Sequence, residues 1–166
     1  MKYSILIVED KTFELQTYMS FSKMIGLDAH GATNLRDVEK VLTKHSYDIL
    51  LTDMHLDLQN PIGTEKGAIT SDEMKHPPLS PNGLEVIKKV KSANPNTVVV
   101  AMSSDPSVEI ANQAKKLGAG IFLRKPIASK DEIQIAIDQA REKLQLQQSQ
   151  HRSQEQNELP SDLKSK

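Results

Sequence analysis

The chain has 166 residues, a net charge of −1 at pH 7 and no cysteine. That length suits one domain with a real core. The charge balance gives no general reason to bind nucleic acid or anionic lipid, and disulfides and thiolate metal sites are excluded. Aromatic residues are scarce and Trp is absent, so the core is expected from Ile, Leu, Val and Ala. The longest apolar runs, such as Ile5-Leu6-Ile7-Val8, are far too short to span a bilayer. A single Lys leads directly into that run, unlike a signal peptide, so the expected location is cytoplasmic.

The predicted elements alternate. Ser4 to Val8 is a continuous apolar run, as expected of a strand buried on both faces. Thr12 to Ile25 reads as a helix, with Phe13, Tyr18, Phe21, Met24 and Ile25 on one face and Gly26 as the stop. Asp28 to Ala32 is a short strand. Leu35 to Leu42 is a helix with Leu35, Val38, Val41 and Leu42 on one face and Asn34 as its N-cap. Asp48 to Thr52 is a second buried strand, ending at Asp53. Residues 54–82 then break the rhythm, with Pro61, Pro77, Pro78, Pro81, Gly63 and Gly67 and no apolar period. From Gly83 the alternation resumes, with a helix over Leu84 to Val90 and Asn94-Pro95 as its stop. A strand covers Thr97 to Met102. Asp105-Pro106 opens a helix that runs to Leu117-Gly118. Gly120 to Leu123 is a last strand, and Ser129 caps a final helix from Lys130 to about Leu146. Five strands alternating with five helices predict an α/β domain over residues 1–146, a parallel sheet covered on both faces. Residues 147–166 are polar, Gln- and Ser-rich, and are expected to form a disordered tail.

In an open parallel sheet, ligands gather at the carboxyl ends of the strands. There the sequence places Glu9 and Asp10 after the first strand, Asp53 after the third, Ser103 after the fourth and Lys125-Pro126 after the fifth. Three neighbouring carboxylates repel one another unless a cation joins them. A hard divalent ion such as Mg²⁺ (or Mn²⁺), bound through oxygen, answers that problem. With such an ion present, Asp53 is a carboxylate nucleophile suited to a phosphoryl group. Lys125 would offset the transferring charge, and Ser103 would donate to a phosphoryl oxygen.

This pattern resembles the receiver domains of two-component response regulators. The family has an acidic pair after strand 1, an acceptor Asp after strand 3, Ser or Thr after strand 4 and Lys-Pro after strand 5. Here these are Glu9-Asp10, Asp53, Ser103 and Lys125-Pro126. The likeness covers residues 3 to about 142 apart from the insertion, and Asn82-Gly83-Leu84-Glu85 resembles the usual turn into the third helix.

The resemblance implies a doubly wound, flavodoxin-like sheet of five strands in the order 2-1-3-4-5. It implies phosphorylation of Asp53 by a sensor histidine kinase or phosphotransfer protein, with no enzymatic role beyond that residue's own phosphorylation and dephosphorylation. Mg²⁺ would be held by Glu9, Asp10, Asp53 and the backbone carbonyl of His55. Phe122 stands at the family's aromatic switch position, although a Phe on a strand is otherwise read as core. A cis peptide bond is implied before Pro126. The output would be a downstream protein contact through the fourth helix, fifth strand and fifth helix, in a monomer or a phosphorylation-linked homodimer. No nucleic-acid-binding motif or basic face follows the domain.

The departure from the family is the segment 54–82, which adds about twenty residues beside the acceptor. It is either a flap or docking loop or a tolerated insertion. The alternative function is a phosphorylation-independent interaction module that keeps only the fold. A haloacid-dehalogenase-like phosphatase also uses an Asp nucleophile with Mg²⁺, but it requires a second Asp where His55 stands.

Overall fold

The computed structural model describes residues 2–56, 82–104 and 107–158, with side chains as far as residue 150. The elements run β1 (Ser4–Val8), α1 (Thr12–Met24), β2 (Asp28–Ala32), α2 (Leu35–Leu42), β3 (Ile49–Asp53), α3 (Gly83–Ala93), β4 (Val98–Ser103), α4 (Val108–Lys116), β5 (Ala119–Arg124) and α5 (Lys130–Glu158). All strand pairs are parallel, in the order β2-β1-β3-β4-β5. The expected five-stranded, flavodoxin-like α/β architecture is therefore the observed one. The insertion lies mostly outside the described residues, which stop at Leu56 and resume at Asn82.

Alternation along the strands builds two apolar layers, because successive side chains point to opposite faces. Ile5, Ile7, Ile49, Leu51, Val98, Val100 and Met102 face α1 and α5, where Leu15, Tyr18, Ile133, Ile137 and Leu144 meet them. Leu6, Val8, Leu50, Val99 and Ala101 face α2, α3 and α4, against Val38, Val86, Ile87, Val90 and Ala114. β1, β3 and β4 are buried on both faces, so they read as unbroken apolar runs. Asn34 caps α2 as expected, its side chain accepting from the Asp37 amide at 2.9 Å.

Beyond shifts of a few residues at strand and helix ends, the face of α1, the cap of α4 and the length of α5 differ from the sequence reading. The buried face of α1 carries Leu15, Tyr18 and Ser22, while Phe13 is 80% exposed and Met24 is also exposed. Phe13 and Met24 are spaced by close to three full turns, so they do share a side, but it is the side away from the sheet. The cap of α4 is Ser107, which accepts from the Ile110 amide at 3.5 Å. The expected Asp105-Pro106 start lies outside the described residues. α5 continues to Glu158 through the stretch expected to be disordered. Gln, Glu and Arg are good helix formers, and no Gly or Pro interrupts them before Pro160. Among the described residues, no helix is long and apolar enough to cross a membrane.

One glycine fixes how α3 meets the strand that carries Asp53. The Gly83 amide donates to the Met54 carbonyl at 3.2 Å. A Cβ at Gly83 would collide with the Asp53 carbonyl oxygen and with the side chain and Cα of Met54. Those groups are mostly backbone and cannot swing aside. Gly83→Ala is expected to lower stability by about 1–3 kcal/mol, as overpacking of a dense interior does. Urea unfolding checks this, and an unchanged midpoint would show that the helix start gives way freely.

Candidate functional site

The carboxyl ends of β1, β3, β4 and β5 converge because the parallel ladder continues briefly past them. The Glu9 amide donates to the Ala32 carbonyl, the Met54 amide to the Met102 carbonyl and the Lys125 amide to the Ser103 carbonyl, at 3.1, 2.8 and 2.9 Å. These bonds fix the backbone on which the polar residues stand. Glu9, Asp10 and Asp53 each present a carboxylate oxygen within 4.8 Å of the others. Glu9 is fully buried and Asp53 nearly so.

Lys125 reaches into this group with its side chain only 7% exposed. Its ammonium lies 2.6 Å from Glu9 Oε2, 2.7 Å from Asp53 Oδ2 and 2.7 Å from Glu14 Oε2. The second oxygen of Asp53 accepts from the His55 amide at 2.9 Å. Glu9 Oε1 faces the Lys11 amide at 3.3 Å. Ser103 Oγ and His55 Nδ1 are 3.4 Å apart, so the fourth strand's hydroxyl stands beside the residue that follows the acceptor by two. The Lys125-Pro126 peptide bond is cis.

The electrostatics follow from burial and crowding. Burial pushes the Glu9 carboxyl up to about 7, against the pull of Lys125 and with added repulsion from Asp53. Burial alone would lower the Lys125 pKa, but its hydrogen bonds to Asp53, Glu14 and Glu9 raise it well above the ordinary lysine value. Burial would likewise raise Glu14, but the hydrogen bond and charge of Lys125 outweigh it and hold that carboxyl below its usual value. The pocket thus keeps a permanent cation among several acids. The all-oxygen donor set of Glu9, Asp10 and Asp53 fits a hard divalent ion of the Mg²⁺ type.

Glu9, Asp10, Asp53 and Lys125 meet here, and Ser103 stands at the end of β4 beside His55. Glu14 was not foreseen from the sequence. Its signal was present in its place: the helix begins immediately after the acidic pair, so the first turn of α1 overhangs the strand ends. Phe122 is not core. It is 39% exposed and lines a cleft of about 240 Å³ with Met54, Ser103, Ile110 and Ala111. The Lys115 ammonium sits 5.7 Å from its ring centroid.

No family model matches the chain. It is 29% identical over 101 residues to the response regulator protein PilR of Pseudomonas aeruginosa, a match covering 61% of this chain and 18% of that protein. The chain thus corresponds to under a fifth of that relative's length. Among solved structures, a CheY-like response regulator receiver domain protein of Methanospirillum hungatei superposes with a TM-score of 0.64 at 17% identity. That superposition covers 86% of this chain and 97% of the other. A response regulator protein of Burkholderia pseudomallei, solved with a phosphorylated aspartic acid, calcium ion and citrate, gives 0.63 at 21% identity. It covers 96% and 76% of the two chains.

Proposed function

We propose that this chain, which has the fold of a response-regulator receiver domain, is a phosphoacceptor whose acceptor is Asp53. The observation that carries the reading is the Lys125 ammonium 2.7 Å from the Asp53 carboxylate, beside Glu9 and Asp10. A carboxylate held next to a fixed cation and a hard-ion donor set is suited to phosphoryl transfer, which asks mainly for positioning and charge neutralisation.

The donor in this reading is a phosphohistidine of a sensor histidine kinase or phosphotransfer protein. An Asp53 oxygen forms a bond to phosphorus while the donor's P–N bond breaks. The electron pair stays on the imidazole nitrogen, which takes a proton, and the product is an aspartyl phosphate. Lys125 pairs with the transferring oxygens, and the Ser103 hydroxyl donates to one of them. Glu9, Asp10, Asp53 and the His55 carbonyl would hold Mg²⁺, which when bound supplies further neutralisation of the carboxylates and phosphoryl oxygens. The product carries about two negative charges where the carboxylate carried one, and spreads them over three phosphoryl oxygens at the strand ends. Movement of Ser103 toward them would be felt at Phe122, since both line one cleft between β5 and α4. The output is a protein contact through α4, β5 and α5, in a cytoplasmic setting.

Incubation with phosphoramidate and Mg²⁺ tests the assignment. Wild type is expected to gain an acid-stable, base-labile phosphoryl group by intact mass, and Asp53→Asn to gain none. A wild-type protein that takes up no phosphate would overturn the reading in favour of a phosphorylation-independent interaction module.

A further inference from the structure

One carboxylate of the pocket has no part in the proposed reaction. Glu14 Oε2 lies as close to the Lys125 ammonium as Asp53 does, at 2.7 Å. Yet Glu14 stands on the first turn of α1, apart from the Glu9, Asp10 and Asp53 donor set. It is also held from other sides. The Tyr18 hydroxyl donates to the same oxygen at 3.2 Å, and the Lys11 ammonium is 3.4 Å from the other. Tyr18 is buried against the sheet, so it fixes the carboxylate from below.

An ammonium has three N–H donors. Among the described residues, Glu9, Asp53 and Glu14 are its three close carboxylate partners. To donate to a phosphoryl oxygen, Lys125 must release one of them. The reaction consumes the Asp53 carboxylate, which becomes an acyl phosphate, and Glu9 belongs to the donor set that would hold a divalent ion. Glu14 has neither role and keeps its charge.

We propose that Glu14 is a positioning residue that restrains Lys125 and so limits how fast Asp53 accepts a phosphoryl group. The inference rests on the reading of Asp53 as the acceptor. Two effects act in the same direction. The Glu14 carboxylate competes with the phosphoryl oxygens for the ammonium, and its charge repels an anionic donor entering the pocket.

The test compares second-order rate constants for phosphorylation by phosphoramidate with Mg²⁺ at low and high salt. Glu14→Gln keeps an oxygen for Tyr18 and Lys125 but removes the charge. It is expected to raise the rate about threefold to tenfold at low salt, with the gain shrinking as salt screens the donor. Glu14→Asp, which retains the charge, is expected to stay near wild type. Tyr18→Phe, which loosens the carboxylate, should shift the rate in the same direction as Glu14→Gln but less. In metal-free protein, the ¹⁵N signal of the Lys125 ammonium should move in Glu14→Gln, a readout independent of turnover. An unchanged or slower rate in a folded Glu14→Gln protein would overturn the inference, as would a gain indifferent to salt. Should Glu14→Gln not fold, Tyr18→Phe decides: an unchanged or slower rate in that variant overturns the inference. Wild type that takes no phosphate marks the failure of the Asp53 reading, and that is seen before any variant is compared.

Discussion

Lys125→Met is expected to destabilise the metal-free protein by about 3–5 kcal/mol at neutral pH, the usual cost of removing one partner from a buried ionic group. The lysine side chain is almost wholly enclosed, and three carboxylates lie within 2.7 Å of its nitrogen. Without the ammonium, Glu9 and Asp53 remain buried and face each other with no fixed cation between them. Methionine fills the space left by the lysine stem, so packing loss contributes little and the cost is electrostatic. The penalty should shrink toward pH 4, where Glu9, whose carboxyl is held near 7, is fully protonated. Urea unfolding in chelator at both pH values measures it. A loss under about 1 kcal/mol at pH 7 would mean that solvent, rather than Lys125, neutralises the acids.

The second large effect is a fall in metal-free stability as pH rises from about 4.5 to about 7. Glu9 carries it. Its carboxyl is held near 7 in the folded protein, chiefly by burial, against 4.5 when free. A raised folded value means that the native state binds the proton more tightly. The stabilising contribution is therefore complete below 4.5 and lost by about pH 7, on the order of 3 kcal/mol. Glu14 works in the other direction. Lys125 holds its carboxyl below the free value, so its contribution is present above that value and lost only as pH falls through the lower one. Lys125, raised above the ordinary lysine value, contributes fully across this window and loses its share only in strong base. Glu9 thus sets the slope between 4.5 and 7. Adding Mg²⁺ should reverse the loss at pH 7 and do little at pH 5, because the ion takes deprotonated ligands. Urea midpoints across that range, with chelator and with Mg²⁺, decide. A flat metal-free profile would contradict the burial of a charged Glu9.

Much of this was legible in the sequence because the informative residues are of two clear kinds. Strands buried on both faces appear as unbroken runs such as Ile49-Leu50-Leu51, and parallel topology then dictates that the residues following them share one edge. Glu9, Asp10, Asp53, Ser103 and Lys125 were found by that step alone. What failed was helix phase where composition is ambiguous. In α1, Ser22 is buried and Phe13 is exposed, the reverse of their transfer preferences, so an apolar count that places Tyr18, Phe21 and Ile25 toward the core also takes in the outward Phe13 and Met24. Glu14 escaped for a related reason: a Glu in the first turn of a helix is ordinary on dipole grounds, and only its place just after the acidic pair marks it as one that reaches a lysine far along the chain. Gly83 was read as a turn signal, whereas its constraint is the contact with the Asp53 and Met54 backbone, which no local rule contains. The length of α5 was missed because low apolar content argues for disorder while Gln-rich composition also favours helix.

The pocket therefore differs from the sequence picture by one acid, and the central claim stays with Asp53. The most direct test is to phosphorylate wild-type protein with phosphoramidate and Mg²⁺, reduce it with borohydride, and map the modified residue by peptide mass spectrometry. Reduction turns an aspartyl phosphate into homoserine. The account predicts homoserine at position 53 and nowhere else. Reduction at Glu9, Asp10 or Glu14, or at no residue, would contradict it.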